Sequence, residues 1–526
     1  MKAINKIGLT ILLIGLTSFS IYSASPESGK NSKKQVSDKT INIGSDLQLF
    51  IDKYIVEKTS ESISFQMHRP TLKEIVLEND KPWEGSGSGF YSLFQDGDLY
   101  RLYYSAWNFT IVPGKVTDDS HPYFLCYAES NDGINWRKPD LNLVEFQGSK
   151  KNNIVMSSGK LGDVYPDLGH PAVFKDENPN VAPDAKYKAL IRDYSPETGV
   201  KGMLAFKSAD GFNWQLMHPT SVLTEDPFDS QNIAFWDPAA KIYRAYWRYM
   251  RDGHFRSIRT ATSKDFIHWE NRADLSYFDA ADEQLYINVV KSYYRAPYML
   301  IGFPIRYIER GWSESMNSLP SYEERKLRAS GEERFGTALT ESLLMASRDG
   351  VNFKRWPEAF LRPEIERPGS WSYGDQYMAW TMVETKSHIK GSPNEISLYA
   401  VEGNWGTLKK DMNVLRRYTL RLDGFVSVNA PMSGGEFLTK PVSFDGSKLL
   451  LNFSSSAAGD IKVELQDING KPIPGYTLED CEPVFGDTIE RPVYWKGGSN
   501  VAGLKGKAIR IRFVMKDAEL YSFKFQ

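Results

Sequence analysis

The chain has 526 residues, too many for one ordinary compact core, and its 41% hydrophobic and 25% charged residues are typical of a soluble globular protein. A net charge of −2 gives no indication of a nucleic-acid-binding surface, so we expect no nucleic-acid partner. Cys126 and Cys481 stand outside any Cys/His cluster, and the seven histidines lack metal-ligand spacing. We therefore expect no metal and no cofactor, and whether the two cysteines pair stays open.

The first residues have the pattern of a secretory signal peptide. A positively charged start precedes an apolar run at residues 7–16, and small residues follow around Ala24. Residues 1–24 are therefore predicted to be removed, with export of the mature protein to the periplasm or the medium. The polar residues 25–47 read as a flexible tether. No later stretch has the roughly 18 apolar residues of a membrane helix, so no membrane insertion is expected.

Strand patterns dominate from residue 48 onward. The segments 99–104 and 187–191 are short, rich in aromatic or aliphatic residues, and bounded by Gly, Asp or Pro. Long amphipathic helical patterns are absent, and the best helix candidate is the charged segment 322–329. The sequence therefore predicts an all-β fold.

A motif with the pattern Ser-x-Asp-Gly-x-x-Trp/Phe recurs along the chain and counts structural units. Its Asp-Gly pair suits a hairpin turn, and its aromatic residue is expected to pack between neighbouring units. Four copies spaced by about 55–85 residues are typical of the blades of a β-propeller. The copies, of which the third lacks the glycine, are 130–136, 208–214, 263–269 and 347–353.

An acidic residue before an apolar strand gives a second rhythm. It occurs five times and predicts a five-bladed propeller over residues 48–429. Because the first strand of each blade lines the central axis, residues before these strands should meet in one pocket. The five acids are Glu84, Asp167, Asp229, Glu283 and Asp375. From residue 430 the alternation of apolar and polar residues sharpens, and residues 430–526 are predicted to form a C-terminal β-sandwich.

Paired carboxyl groups are what glycoside hydrolysis needs, one to donate a proton and one to activate water or attack the sugar. Asp229 precedes Ser230 and other short polar residues that would keep it ionised, whereas Glu283 precedes an apolar segment that would let it hold a proton. We predict Asp229 and Glu283 as the proton-transfer pair, with Glu84 and Asp167 in orienting or activating roles.

Other polar and aromatic side chains near the predicted strands suit a sugar pocket. An arginine can clamp an anionic sugar but can equally pair with a neighbouring acid. The predicted partner is a carbohydrate, and the predicted binding residues are Asp375, His170, Arg192, Arg248, Trp107 and Arg306.

Together the repeats, the acids before strands and the C-terminal region resemble the five-bladed propeller glycosidases, the broad group of glycoside hydrolase families 32, 43 and 117. The resemblance covers nearly the whole mature chain. It implies three acids from the first blades acting as base or nucleophile, as pKa modulator and as general acid. Glu84, Asp167, Asp229 and Glu283 are the matching positions, although the group usually has Asp where this chain has Glu84. We expect an exported glycoside hydrolase, exo-acting on oligosaccharides or polysaccharide fragments.

Three alternatives stay open at this point. The alternatives to a glycoside hydrolase are a non-catalytic sugar-binding propeller, a sialidase-like enzyme with an arginine cluster and a tyrosine nucleophile, and a glycoside phosphorylase. Motifs of serine hydrolases and nucleotide-binding enzymes are missing from the sequence.

Overall fold

The computed structural model describes residues 40–117, 121–403 and 413–526. Strands far outnumber helices in its regular secondary structure, as the sequence predicts. The predicted signal peptide and most of the predicted tether lie outside the described residues. The last part of that tether contains a strand, β1, at Ile41–Gly44.

Five antiparallel sheets form the blades of a propeller. Blade I has the inner strand β6 (Gly87–Asp96), followed outward by β7 (Leu99–Trp107), β10 (Phe124–Ser130) and β11 (Trp136–Arg137), with β12 (Ile154–Ser157) on β10. Blade II has β13 (Pro166–Lys175), β14 (Tyr187–Ser195), β15 (Gly199–Ser208) and β16 (Gln215–Leu216). Blade III has β17 (Ile233–Asp237), β18 (Ile242–Arg251), β19 (Phe255–Ser263) and β20 (Trp269–Asp274).

The last two blades carry the additions to this plan. Blade IV has β21 (Lys291–Tyr293), β22 (Ala296–Gly302), β25 (Met345–Ser347) and β26 (Lys354–Arg355). Blade V has β27 (Val383–Thr385), β28 (Glu395–Glu402), β29 (Val414–Arg421) and, outermost, β5 (Thr71–Glu78). Because β5 precedes blade I in the chain, its pairing with β29 closes the ring. The predicted five-bladed propeller is confirmed.

Two buried side chains tie the blades together at the axis. The Gln231 side chain of blade III donates to the carbonyl of Phe90 in blade I, at 2.8 Å, and to that of Pro171 in blade II, at 3.2 Å. Trp380 of blade V bonds to the backbone of blade I and donates its indole N–H to Val290 of blade IV, at 2.9 Å. These bonds satisfy polar groups in a tightly packed axis where water has no access.

The recurring motif forms the same turn in all four copies. In the first copy the Ser130 hydroxyl accepts from the Gly133 N–H, and Asp132 accepts from the N–H groups of Ile134 and Asn135, at 2.8 and 2.7 Å. The Trp136 indole donates back to the Gly133 carbonyl. Asp132 thus supplies acceptors that the tight turn lacks, which explains the fixed spacing of the motif.

The glycines of this motif also receive a tyrosine from the preceding blade. The Tyr103 hydroxyl donates to the Gly211 carbonyl at 3.1 Å, and the Tyr246 hydroxyl donates to that of Gly350 at 2.9 Å. In the third copy Phe266 takes the glycine's place at φ 71° and packs its buried ring on Phe174 instead. The motif is therefore a blade-to-blade fastener, in keeping with its predicted structural role.

The C-terminal residues form one large sheet together with strands that precede the propeller. Its order is β3-β31-β35-β30-β4, and β33, β34 and β2 join through β35 or β33. The core of this region includes Phe50 and Ile55 from the N-terminal side. A β-sandwich made by residues 430–526 stays a prediction. The strands are β2 (Gln48–Leu49), β3 (Val56–Thr59), β4 (Ser64–Met67), β30 (Val426–Ala430), β31 (Gly435–Thr439), β33 (Leu449–Gln466), β34 (Asp487–Pro492) and β35 (Arg510–Phe525), with β32 (Val442–Phe444) parallel to β1.

An insertion in blade IV reaches across blade V to blade I. It lies between β23 (Ile305–Glu309) and β24 (Ala338–Ser342) and holds the helices α1 (Glu314–Ser318), α2 (Tyr322–Gly331) and α3 (Arg334–Thr337). The helix predicted at 322–329 is thus present. Helix α2 contacts the hairpin β8 (Thr110–Val112)–β9 (Lys115–Thr117) of blade I, and the Gly114 N–H donates to Ser330 at 2.8 Å.

Cys126 and Cys481 are both buried and unpaired. Cys126 lies in blade I, whereas Cys481 belongs to the core of the C-terminal region. No helix among the described residues is long and apolar enough to span a membrane.

The tyrosine–glycine contact gives a test of the blade fastener. Both Gly211 (φ 86°) and Gly253 (φ 79°) have left-handed backbone, but a Cβ at Gly211 would overlap the Tyr103 hydroxyl, whereas one at Gly253 would meet nothing within 4 Å. Gly253→Ala should therefore lower the free energy of unfolding by about 1 kcal/mol, and Gly211→Ala by about 3 kcal/mol. Urea denaturation measures both, and adding Tyr103→Phe should recover part of the Gly211→Ala loss. Equal losses for the two alanine variants would contradict this packing.

Candidate active site

One side chain from each blade meets at one end of the axis. These five residues, the axial site, are Phe90, His170, Asp229, Tyr286 and Tyr377. The ring of Phe90 lies 4.4 Å from that of His170 and 6.2 Å from that of Tyr377, and Tyr377 stacks on Tyr286 at 5.5 Å between centroids. His170 Nε2 lies 3.8 Å from Asp229 Oδ1. The beginnings of the inner strands therefore bring a mixed set of residues together, and a sugar pocket at this place stays a prediction.

Irregular backbone turns these side chains toward the axis. The pairing of β6 with β7 shifts register between Gly89 and Ser92, and Phe90 within this bulge has φ 52°. Phe228, next to Asp229, has φ 48°, and Gln376, next to Tyr377, has φ 62°. Bulges and positive φ at large residues are costly and concentrate where a fold must aim a side chain. These three positions belong to the axial site or directly precede one of its residues.

Asp229 is the accessible carboxylate of this group. About half of its side-chain surface is exposed, 53%, while its oxygens contact Arg192 Nη1 at 3.3 Å and Arg248 Nη2 at 3.2 Å. Burial of the carboxyl works to raise the pKa of Asp229, but His170, Arg248 and Arg192 outweigh it and hold the pKa well below its usual value. Asp229 is therefore ionised over the whole physiological range of pH.

Asp167 lies behind Asp229 and is joined to it by Arg192. Asp167 and Arg192 face each other on β13 and β14, and Arg192 Nε donates to Asp167 Oδ2 at 2.6 Å. The second oxygen of Asp167 accepts from the Gly169 N–H at 2.9 Å. One guanidinium that contacts both carboxylates places them on the order of 5–8 Å apart, within the spacing of carboxyl pairs in glycosidases.

His170 is the neutral member of the site. Its ring is wedged against Phe90, and its Nδ1 atom is buried without a hydrogen-bond partner among the described residues. Burial lowers the pKa of His170 to about 4, in spite of the attraction of Asp229. At neutral pH the imidazole is uncharged, so the positive charges around Asp229 come from Arg192 and Arg248.

Glu84 does not reach the axial site, contrary to the sequence prediction. It is fully buried at the end of a 3-10 helix, Pro82–Glu84, where its carboxylate accepts from the Tyr104 hydroxyl at 2.6 Å and from Lys138 Nζ at 2.7 Å. Its third bond, from the Lys81 N–H, closes the helix start. The acid before the first strand thus holds blade I together, and we leave it out of the catalytic set.

Glu283 pairs with two arginines, Arg306 and Arg355. Its Oε1 atom lies 2.8 Å from Arg306 Nη1. Its Oε2 atom lies 2.7 Å from Nη1 of Arg355, which is fully buried on the outermost strand of blade IV. Both carboxylate oxygens of Glu283 are thus held by arginines, and its predicted role as the proton donor stays a prediction. Arg306 also pairs with Glu341 and is part of this network rather than of a sugar pocket.

Asp375 and Trp107 are buried next to residues of the axial site. Asp375 is fully buried and accepts from the N–H groups of Ser372 and Gly403, both at 2.8 Å. Burial raises the pKa of Asp375 to about 7 against these bonds. Trp107 is buried and packs 5.9 Å from Phe90. Of the predicted binding residues, His170, Arg192 and Arg248 lie at Asp229, and the other three do not.

Sequence reasoning missed the aromatic part of the axial site. Phe90, Tyr286 and Tyr377 were assigned to the apolar strands that follow the acids. The available signal was the offset: His170, Tyr286 and Tyr377 come three, three and two residues after the predicted acids Asp167, Glu283 and Asp375. The spacing of the acids was therefore informative about position, but in these three blades the acid comes two or three residues before the side chain that faces the axis.

A cavity of about 300 Å³ adjoins Asp167 on the same end of the propeller. Tyr123, Tyr165 and Tyr194 line it, and Arg192 lies 5.0 Å from the Tyr194 ring. Aromatic walls next to hydrogen-bonding groups are a common surface for sugars. Within the described part of the chain, no cluster of His, Cys, Asp and Glu side chains could hold a metal ion.

No protein-family model and no curated protein sequence matches this chain. Solved structures that match include an exo-inulinase from Aspergillus awamori, at 11% identity and a TM-score of 0.39, covering 88% of this chain and 99% of that one. A thermostable family-43 glycoside hydrolase matches at 11% identity and 0.39, over 66% and 93%. An N-acetylgalactosamine deacetylase from F. plautii matches at 12% and 0.40, over 68% and 94%.

The low pKa of His170 predicts how stability depends on pH. Its pKa is about 4 in the folded chain against an ordinary 6.5, so the unfolded chain binds the extra proton between these values. The free energy of unfolding should fall as pH drops from 6.5 to 4, with this histidine contributing up to ~3 kcal/mol. His170→Gln should flatten that fall in urea denaturation, whereas His254→Gln, at an exposed position, should not. Parallel pH curves for wild type and His170→Gln would rule out the shift.

Proposed function

We propose that this protein is a glycoside hydrolase whose reaction takes place at Asp229. The observation that carries the proposal is a half-exposed, ionised carboxylate at the propeller axis, held by two arginines beside a second carboxylate, Asp167. An ionised carboxylate can attack the anomeric carbon of a sugar or remove a proton from water, which are the tasks of the base or nucleophile in glycoside hydrolysis.

The surroundings of Asp229 support a sugar as the ligand. The buried rings of Phe90, Tyr286 and Tyr377 form an apolar wall beside Asp229, and the cavity with Tyr165 and Tyr194 adjoins Asp167. A sugar presents both apolar C–H faces and hydroxyl groups, and this site offers aromatic rings together with charged hydrogen-bonding groups. The two sides would hold the residues that flank the cleaved bond.

Asp167 and Arg192 have positioning roles in this proposal. Asp167 fixes the Arg192 guanidinium through Nε, and that guanidinium then contacts Asp229 through Nη1. Arg248 holds the other Asp229 oxygen. Because both oxygens are held by positive charges, the carboxylate keeps one orientation and stays ionised, as a base or nucleophile requires.

The insertion of blade IV supports an exo-acting enzyme. Helix α2 meets the β8–β9 hairpin of blade I, and Arg325 of this helix donates to the Ser370 carbonyl at 3.4 Å, over the loop that leads into blade V. A wall over blade V would close one side of the axial site, so that a chain end fits better than the middle of a polysaccharide. The predicted signal peptide supports export of this enzyme.

A non-catalytic sugar-binding propeller is the second candidate, and one observation favours it. Glycosidases usually place a proton donor opposite the base, but both oxygens of the predicted donor Glu283 are held by Arg306 and Arg355. A binding protein needs the aromatic rings and the charged groups without a donor. Binding with no turnover would decide for this candidate.

The Asp229→Asn substitution tests the proposed reaction. It keeps the shape of the side chain but removes its charge, so turnover of the best substrate in a panel of aryl-glycosides and oligosaccharides should fall at least about 100-fold. Asp184→Asn, at an exposed acid paired with Lys207 in blade II, is the matched control and should be silent. Thermal unfolding checks that both variants fold. Near-normal turnover by a folded Asp229→Asn variant would refute the assignment.

A further inference from the structure

Arg256 lies beside the axial site and shares an aromatic ring with Arg248. It is at the start of β19, next to the end of β18 that carries Arg248. The Arg248 guanidinium lies 4.6 Å from the centroid of Tyr286, and that of Arg256 lies 5.9 Å from the same centroid. Since Arg248 also contacts Asp229, Arg256 is one aromatic ring away from the reactive carboxylate.

Arg256 lacks the carboxylate partner that its neighbours have. Arg192 and Arg248 contact Asp229, and Arg334 pairs with Glu332. Arg256 Nη1 instead donates to the amide oxygen of Gln284 at 2.8 Å, and no ion pair forms between Arg256 and any carboxylate of the described residues.

The remaining contacts of Arg256 are neutral as well. Its guanidinium lies 4.0 Å from the centroid of Tyr307, and its Nε atom is buried without a hydrogen-bond partner among the described residues. The Tyr307 hydroxyl itself donates to Glu309 at 2.8 Å, so that nearby carboxylate is bound to a phenol and not to Arg256. A half-buried guanidinium with only neutral partners has unused capacity for a charged, two-pronged hydrogen-bond partner.

We propose that Arg256 binds an anionic group, a carboxylate or a sulfate ester, of the sugar that occupies the axial site. The inference rests on the proposed function and narrows its substrate class to acidic sugars. The planar guanidinium matches both anions through paired N–H donors, and the Tyr286 ring separates this contact from Asp229. The sugar would place its glycosidic carbon at Asp229 and its anionic group at Arg256.

Binding measured with matched pairs of sugars tests this inference. Isothermal titration of the wild-type protein would compare galacturonate with galactose, glucuronate with glucose, and galactose 6-sulfate with galactose. In at least one pair the anionic member should bind roughly 10- to 100-fold more tightly. The two uronates and the sulfate ester then tell which anion the site takes.

Variants at Arg256 link any preference to this residue. Arg256→Gln should abolish the preference and leave the binding of the neutral sugar unchanged, whereas Arg256→Lys should keep part of it. Arg251→Gln, which removes an arginine paired with Asp282 on the neighbouring strand, is the control and should keep the full preference. A preference that survives Arg256→Gln, or equal binding within every pair, would overturn the inference.

The outcomes separate this inference from the proposed function. Hydrolysis of neutral glycosides without any anion preference would refute the role of Arg256 and leave the hydrolase proposal standing. Arg256-dependent binding of an acidic sugar without hydrolysis of its glycosides would support the role of Arg256 and favour the binding protein. If no sugar binds and no glycoside is hydrolysed, both proposals are wrong.

Discussion

Closure of five sheets into a ring is the constraint on which the rest of this structure depends. Strand β5, from before the propeller, completes blade V, so the ring closes only when the two ends of the domain meet. Tyrosines reach from one blade to the turn glycine of the next, and Gln231 spans three blades at the axis. Because each blade is held on both sides, the beginnings of the inner strands are fixed relative to one another.

That fixed geometry explains the electrostatics of the axial site. Strands β13 and β14 hold Asp167 against Arg192, and the loop before β17 brings Asp229 within reach of the same guanidinium. The carboxylate keeps its charge because two arginines contact it, although His170 beside it is neutral at physiological pH. Backbone at positive φ, as at Phe90, is the cost of aiming these side chains inward.

The sequence was informative about the architecture because its signals are local. The Ser-Asp-Gly turn makes its hydrogen bonds within seven residues, so its spacing could be read from the chain, and its four copies lie in four of the five blades. The turn at 130–136 needs only its own side chains to form, and the short strand of residues 99–104 is apparent from its aromatic composition. The C-terminal core was harder to predict because Phe50 and Ile55 join it from far away in the sequence.

The site could be predicted only in part, because the direction of a side chain depends on distant partners. Asp167, Asp229, His170, Arg192 and Arg248 were named from the sequence, and the structure brings them together. Glu84 and Glu283 precede inner strands in the same way, yet Glu84 pairs with Lys138 and Glu283 pairs with Arg306. Arg256 could not be identified from the sequence, because the sequence does not show that Arg256 lacks a carboxylate partner among the described residues.

The central claim is that the axial site, and no other surface, receives the sugar. A crystal structure of the Asp229→Asn variant with a bound oligosaccharide tests it most directly. We expect a sugar ring against residue 229, between His170 and Tyr286, with the next sugar residue toward Asp167. Sugar found only at the opposite end of the axis, in the cavity of about 690 Å³ lined by Tyr100, Tyr293 and Tyr294, would contradict it.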